Sequence, residues 1–258
     1  MVEWKASSVL ITGGNRGIGL EMVRQFLESP NPPDRVFAGC RDPEGPRAKC
    51  LKDLSKKHSE RLFIVQLDTT DPVSIKEAAK QVGSKLNKRG LNLLINNAAI
   101  NLNGTLDETD SDGMMHCYKT NVVGPMLMAK EFLPCLQMAA QTSDLQGMCC
   151  RKAAVINLSS LVASIEKCYE TFSMVPMYPY RTSKAALNML TRCLSEDFRK
   201  EGILCTAIHP GWVKTDMGGK EAPLDAVDSV VGMFQVLSAL TEKNTGQCLD
   251  WEGKIIPW

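Results

Sequence analysis

Charge of either sign is in no surplus: 30 basic against 29 acidic side chains leave a formal net charge of +1. Nothing in that balance would gather nucleic acid or an anionic membrane surface. Long hydrophobic runs are missing as well. The longest uncharged stretch, residues 90–106, holds five asparagines and is too polar and too short to span a bilayer. The opening Met1-Val2-Glu3-Trp4-Lys5 puts an acid where a secretory leader is basic, and only Val9-Leu10-Ile11 follows as an apolar run, so a cytoplasmic location is expected. The closing Ile255-Ile256-Pro257-Trp258 matches no prenylation, ER-retention or peroxisomal tail. C-x-x-C is absent although there are ten cysteines, and His58, His116 and His209 lie far apart. Neither a metal site nor a disulfide framework is expected, and the thiols read as buried apolar groups. The sequons Asn103-Gly104-Thr105 and Asn157-Leu158-Ser159 are then chance matches. Repeats, low-complexity tracts and long linkers are lacking too, so residues 1–258 are expected to form one domain.

What the chain does have is alternation. Ser8-Val9-Leu10-Ile11, Val36-Phe37-Ala38, Leu62-Phe63-Ile64-Val65, residues 91–95, Ala154-Val155-Ile156-Asn157-Leu158 and residues 203–208 are short branched or apolar runs bounded by turn residues. Buried parallel strands have that form, and Cys248-Leu249 offers a seventh. Helical patterns lie between them at residues 17–29, 72–86, 110–140, 179–200 and 224–240, some with start signals such as Asp71-Pro72. Strand and helix in alternation predict an α/β fold, a Rossmann-type doubly wound parallel sheet of about seven strands with helices on both faces. Residues 141–152 read as a polar surface excursion. Residues 161–177, with Met174, Val175, Pro176 and Met177, are apolar enough to wall a ligand site.

The first strand ends in Thr12-Gly13-Gly14-Asn15-Arg16-Gly17-Ile18-Gly19. Gly13, Gly17 and Gly19 let a backbone turn tightly and approach a pyrophosphate, whose charge is met by free N–H groups opening the next helix. Such a turn alone is also an ordinary strand-to-helix connection; its place directly after a first strand favours the phosphate cradle. Further on, Tyr180 and Lys184 stand four residues apart in a helical pattern, hence on one face. A phenol at its free pKa of about 10 is a poor proton relay near neutrality, and a neighbouring cation lowers it. An isolated Y-x-x-x-K is equally a solvated pair, so company decides.

That company is a set of motifs in one order: the T-G-x-x-x-G-x-G turn, Asn96-Asn97-Ala98-Ala99 after the fourth strand, Asn121, Ser159-Ser160 ending the fifth, Tyr180-Arg181-Thr182-Ser183-Lys184, and Pro210-Gly211 after the sixth. Together they resemble the short-chain dehydrogenases/reductases over almost the whole chain. Val213-Lys214-Thr215-Asp216-Met217-Gly218-Gly219 resembles the sniffer-type or C-factor-like carbonyl reductases within that family. The resemblance implies that Tyr180 donates a proton to a carbonyl oxygen, Lys184 lowers its pKa and holds the nicotinamide ribose, Ser160 bonds the substrate oxygen and Asn121 positions a water. Neighbouring serines on a strand end point to opposite sides, and Ser160 is the one taken to face the reaction. By the same resemblance the cofactor would lie along Gly13, Asn15, Arg16, Gly17, Ile18 and Gly19. It would continue past Asp68 at the adenine, then Thr69, Asn96 and Ala98, and reach Pro210, Gly211, Val213 and Thr215.

Cofactor choice rests on the end of the second strand, where an NAD enzyme keeps a carboxylate for the ribose 2′-hydroxyl. Cys40 stands there; Arg41 follows it, and Arg16 lies in the glycine turn. Two arginines suit a 2′-phosphate, so NADP(H) is expected, with Asp42 one residue later as the contrary sign. NADPH-dependent reduction of a small apolar carbonyl compound is the leading expectation. An NAD(P)-dependent hydroxysteroid or retinoid alcohol dehydrogenase and a non-catalytic dinucleotide-binding regulator are the alternatives. Trp212, Trp251 and Trp258 read as packing or cleft residues, Tyr178 as a pocket or packing residue, and His209 as structural. A homodimer through the helices of Asn121 and Tyr180 is expected, because Val122, Val123, Met126, Leu127, Phe132 and Leu133 exceed one core-facing stripe.

Overall fold

The strands form where the branched runs stand, because parallel strands covered on both faces need apolar side chains at successive positions. The structure, a computed structural model, describes residues 6–173 and 175–258; residues 1–5 and Met174, both given expectations above, lie outside that part. The strands are β1 (Ser8–Thr12), β2 (Arg35–Cys40), β3 (Leu62–Gln66), β4 (Leu93–Asn96), β5 (Ala154–Leu158), β6 (Leu204–His209) and β7 (Cys248–Asp250). They make one sheet in the order β3-β2-β1-β4-β5-β6-β7, every neighbouring pair parallel. The expected doubly wound Rossmann-type sheet is thus present.

Its helices are α1 (Gly17–Glu28), α2 (Lys49–Lys57), α3 (Pro72–Lys85), α4 (Ser111–Tyr118), α5 (Gly124–Thr142), α6 (Cys168–Thr171), α7 (Tyr178–Asp197) and α8 (Ala226–Ala239). Alternate strand positions divide between two cores. Val9, Ile11, Val36 and Ala38 pack with Phe26 of α1 and Phe234 of α8. Leu10, Phe37, Leu94 and Val155 face the opposite layer, with Ile75 of α3, Phe132 of α5 and Leu194 of α7. Among the described residues, no helix is long and apolar enough to cross a membrane.

The chain runs from β1 out through β2 to β3, then returns to place β4 on the other side of β1. Where the winding reverses, a crevice opens beyond the carboxyl ends of the strands. The glycine turn follows β1, Asn96–Ala99 closes β4, Ser160 follows β5 and Pro210 follows β6. All four therefore reach the same edge of the sheet.

Two expectations about helices need correction. The pattern over residues 110–140 is not one helix: a π turn, Lys119–Val123, separates α4 from α5. Pro125 explains part of the break, since it has no N–H to give the carbonyl four residues back, that of Asn121. Helix α2 was not expected, and its composition says why: only Leu51 is buried among its nine residues, so its apolar stripe is too narrow to show periodicity.

Candidate active site

The turn after β1 is held from behind by β4. Thr12 Oγ1 accepts the N–H groups of Asn97 (3.0 Å) and Ala98 (2.9 Å), and Asn97 Nδ2 donates to the carbonyls of Thr12 (2.7 Å) and Gly13 (3.2 Å). Gly13 and Gly17 have φ of +67° and +52°, a region costly to other L residues. A Cβ on Gly19 would lie 2.2 Å from the Gly13 carbonyl oxygen, so the turn presents bare backbone. Helix α1 opens there with neither a capping side chain nor an acid in its first turn, leaving its first N–H groups available to an anion. A pyrophosphate fits this cradle. Thr12 and Asn97 are the positioning residues sequence reasoning passed over as site members, although both stood inside the motifs.

At the carboxyl end of β2 the Cys40 thiol is buried and held above its usual pKa by that burial and by the charge of Asp42. Asp42 itself accepts the Gly45 N–H at 2.8 Å, which commits one carboxylate oxygen to a local turn. Arg41 is exposed. Arg16 is paired with Asp216 at 2.6 Å, so the glycine turn is tied to the segment after β6. Asn15 Nδ2 reaches the Arg47 carbonyl at 3.4 Å, bringing a third arginine to this rim. Asp68 Oδ1 accepts the N–H and hydroxyl of Thr70, each at 2.8 Å, which fixes the turn after β3. Thr69 is buried against Gly124.

Beyond β5, the Ser160 hydroxyl stands close enough to the Tyr180 phenol to pull its pKa down, while Ser159 turns away to Asn188 at 2.5 Å. Burial pushes the Tyr180 phenol up to about 12, against the downward pull of the Ser160 hydroxyl. Lys184 Nζ lies 5.6 Å from the Tyr180 ring centroid and donates to the Leu158 carbonyl at 2.6 Å. Burial lowers that ammonium to about 8. The expected lowering of the phenol by its lysine is therefore not what this arrangement gives: the cation is engaged by a backbone carbonyl and burial dominates the tyrosine.

Asn121 is fixed on three sides. Its Oδ1 accepts the Ile100 N–H at 2.9 Å, and its Nδ2 donates to the Ile100 carbonyl at 2.9 Å and to Ser183 Oγ at 3.0 Å. The side chain thereby joins the π turn to β4's exit loop and to α7. Asn96 is directed elsewhere, into a buried chain from its Nδ2 to Asn157 (2.8 Å) and from Asn157 to Thr191 (2.8 Å). Pro210 accepts from the Ser229 hydroxyl at 2.6 Å. Gly211 has φ +87° with Trp251 and Leu224 close by, and Thr215 packs on Gly17. Val213 is buried and bridges Leu224. Ile18 is half-buried at the start of α1 and packs on the first core.

Around the mouth, Trp212 is 53% exposed and its indole N–H donates to Gly218 at 2.7 Å. Tyr178 stacks edge-on against Phe172. Burial lowers His209 to about 4, opposed by the charge of Asp250, so it is neutral near pH 7.

The model of the short chain dehydrogenase family matches residues 7–224 of this chain. The NADPH-bound carbonyl reductase from chicken fatty liver is 50% identical, with a TM-score of 0.94 over 99% of this chain and 100% of that one. Carbonyl reductase Sniffer of D. melanogaster is 39% identical, with a TM-score of 0.93 over 98% and 100% of the two chains. The C-signal of Myxococcus xanthus is 38% identical over 170 residues, 65% of this chain and 93% of that protein.

Proposed function

We propose, from the premise that this chain belongs to the short-chain dehydrogenase family and is an oxidoreductase, that it uses NADPH to reduce aldehydes, ketones or quinones to alcohols. One observation carries the reading: Ser160, Tyr180 and Lys184, the last two on one helix face, gather at the sheet edge that also bears the glycine cradle. A phenol held up to about 12 keeps its proton near neutral pH, which is the state a donor for reduction needs. Ser160 would share the carbonyl oxygen with Tyr180 Oη and stabilise charge developing there. Lys184 supplies a buried cation 5.6 Å from the Tyr180 ring centroid and would reach the nicotinamide ribose on leaving Leu158. Asn121, pinned by Ile100 and Ser183, sets the carbonyl of the π turn where a water could pass protons onward. When bound, NADPH supplies the hydride.

Gly13, Gly17, Gly19 and the opening N–H groups of α1 would hold the pyrophosphate, with Asn15, Ile18, Thr69, Ala98 and Asn96 shaping the groove behind it. Asp68 would meet the adenine. Pro210, Gly211, Val213 and Thr215 would border the nicotinamide end. Arg41 and Arg16 would pair the 2′-phosphate, a reading supported by the absence of an acid at position 40 and by the engagement of Asp42 with Gly45. Ile165, Tyr169, Trp212 and Met217, all exposed on segments leaving β5 and β6, favour an apolar carbonyl compound. The proposal places one catalytic unit over residues 1–258 in the cytoplasm, and the ten free thiols suit a reducing compartment.

Turnover of aldehydes, ketones, quinones and steroids with NADPH and with NADH tests the reading. Reduction of at least one carbonyl class with NADPH strongly preferred is expected; no turnover at all would leave a binding protein. In the Arg16→Ala/Arg41→Ala double variant the preference should fall by about a hundredfold, the worth of two charge-assisted hydrogen bonds.

A homodimer is part of the proposal. Met115 and Tyr118 of α4, Met126 of α5 and Met189 of α7 are exposed, and a depression lined by Met115, Tyr118 and Val123 runs along this face. The excursion over residues 141–152 leaves it open: its Met148 and Cys150 pack on the other core. Light scattering at micromolar concentration should give twice the chain mass of 28.4 kDa; a mass near the single-chain value removes the dimer.

A further inference from the structure

Arg181 follows Tyr180 directly, yet it is 7% exposed and no carboxylate pairs with it among the described residues. Its fork is filled by backbone and one hydroxyl. Nε donates to the Val175 carbonyl at 3.0 Å, and Nη2 to those of Val175 (2.7 Å) and Thr171 (2.6 Å). Nη1 donates to Thr171 Oγ1 at 2.9 Å and to the Val162 carbonyl at 3.4 Å. The guanidinium also lies over the Phe172 ring, 5.6 Å from its centroid, and that ring meets Tyr178 edge-on.

These contacts reach the beginning, middle and end of residues 161–177, the stretch that leaves Ser160 and returns to α7. Apart from the single turn Leu161–Ala163 and the four-residue α6, the described residues of the stretch have no regular structure of their own to hold them. It re-enters α7 through Met177, whose φ of +40° is unfavourable for a residue with a side chain. A planar, five-donor group makes all five of these bonds to four acceptors at once. Lysine offers three donors on one atom.

We infer that Arg181 is a positioning residue for substrate selection: it ties residues 161–177 to the helix of Tyr180 and Lys184 as one wall of the cleft, and thereby sets which carbonyl compounds are held. The inference rests on the reductase reading. Its chemistry is binding of bulky apolar carbonyl compounds through Ile165 and Tyr169, whose side chains this stretch carries in exposed positions. A small aldehyde needs no such wall.

The test compares Arg181→Met, Arg181→Lys and Thr171→Val with the parent holoenzyme, using propanal and an aromatic diketone as substrates. For Arg181→Met, KM for the diketone should rise about tenfold or more, kcat for propanal should stay within about threefold, and the NADPH dissociation constant should not move. Cleavage within residues 161–177 by a dilute protease should quicken about tenfold. Arg181→Lys should recover part of both effects. Thr171→Val, which removes one acceptor at the margin and spares the guanidinium, should shift both in the same direction by about threefold, and it decides the matter if Arg181→Met does not fold. Unchanged diketone KM with unchanged cleavage overturns the inference, as does an equal loss of kcat on both substrates, which a merely structural role would give. Should the parent bind NADPH and reduce neither substrate, the reductase reading fails by itself, and cleavage rates alone still show whether Arg181 holds the wall.

Discussion

Tyr180→Phe is expected to lower kcat/KM for carbonyl reduction by about a thousandfold or more, the range of a lost general acid, with NADPH affinity within about twofold of the parent. The substitution deletes one oxygen and keeps the ring that packs beside Lys184. Ser160 loses its partner in the same step, so Ser160→Ala should repeat part of the loss and the double variant should cost little more than Tyr180→Phe alone. Steady-state kinetics with fluorescence titration of NADPH separates the two quantities. Near-normal kcat in Tyr180→Phe would assign the proton to another group.

Lys184→Met is expected to remove activity to a similar degree and, unlike Tyr180→Phe, to change how stability depends on pH. Burial lowers the Lys184 ammonium from 10.5 to about 8 in the folded chain. Between those values the folded chain binds fewer protons than the unfolded one, so this group makes the parent more stable as pH rises from about 8 to 10.5. Below about 8 the cost of the buried cation is present in full, on the order of 3 kcal/mol for a shift of that size. Buried thiols such as Cys40 and Cys205, held above their usual pKa by burial, work the other way above about pH 9, since they resist deprotonation only when folded. The difference between parent and Lys184→Met cancels these thiols; Cys117, whose pKa the Lys184 charge pulls down, is the one that does not cancel. Urea unfolding of both apo-proteins from pH 7 to 10.5 should therefore show the variant's advantage shrinking as pH rises. That advantage is reduced at every pH by the Leu158 carbonyl left without its donor. A constant difference would mean that Lys184 is not titrating in this range.

What could be read from the chain beforehand follows from where the information resides. The sheet was legible because each strand is a contiguous apolar run, and β5 came out with its bounds unchanged, Ala154–Leu158. The glycine turn and the Tyr180–Lys184 pair were legible for a similar reason, since spacing along one element sets which groups share a face. The π turn was not legible as such: Asn121 owes its setting to the Ile100 backbone and to Ser183, partners no local pattern indicates. Pro125, four residues on, was the available signal. Arg181 was passed over inside the very motif that named its neighbours. Its acceptors are carbonyls of Val162, Thr171 and Val175, and a carbonyl has no letter in a sequence. Lys184 was legible as a residue but not in its resting contact with Leu158, which depends on how β5 and α7 meet.

The Arg16–Asp216 pair spans 200 positions of chain with both side chains well exposed, a contact worth about 0–1 kcal/mol. On the proposed assignment of Arg16 to the 2′-phosphate, the arriving phosphate would compete with Asp216 for the guanidinium, and the two anions would repel one another. Dinucleotide entry would then be an exchange of anions on a single cation, loosening residues 213–219 from the glycine turn. Departure runs the exchange backwards, with Asp216 competing for Arg16 as the phosphate leaves. So weak a latch adds little to resting stability, yet on that assignment it would couple the freedom of one rim of the cleft to occupancy of the other.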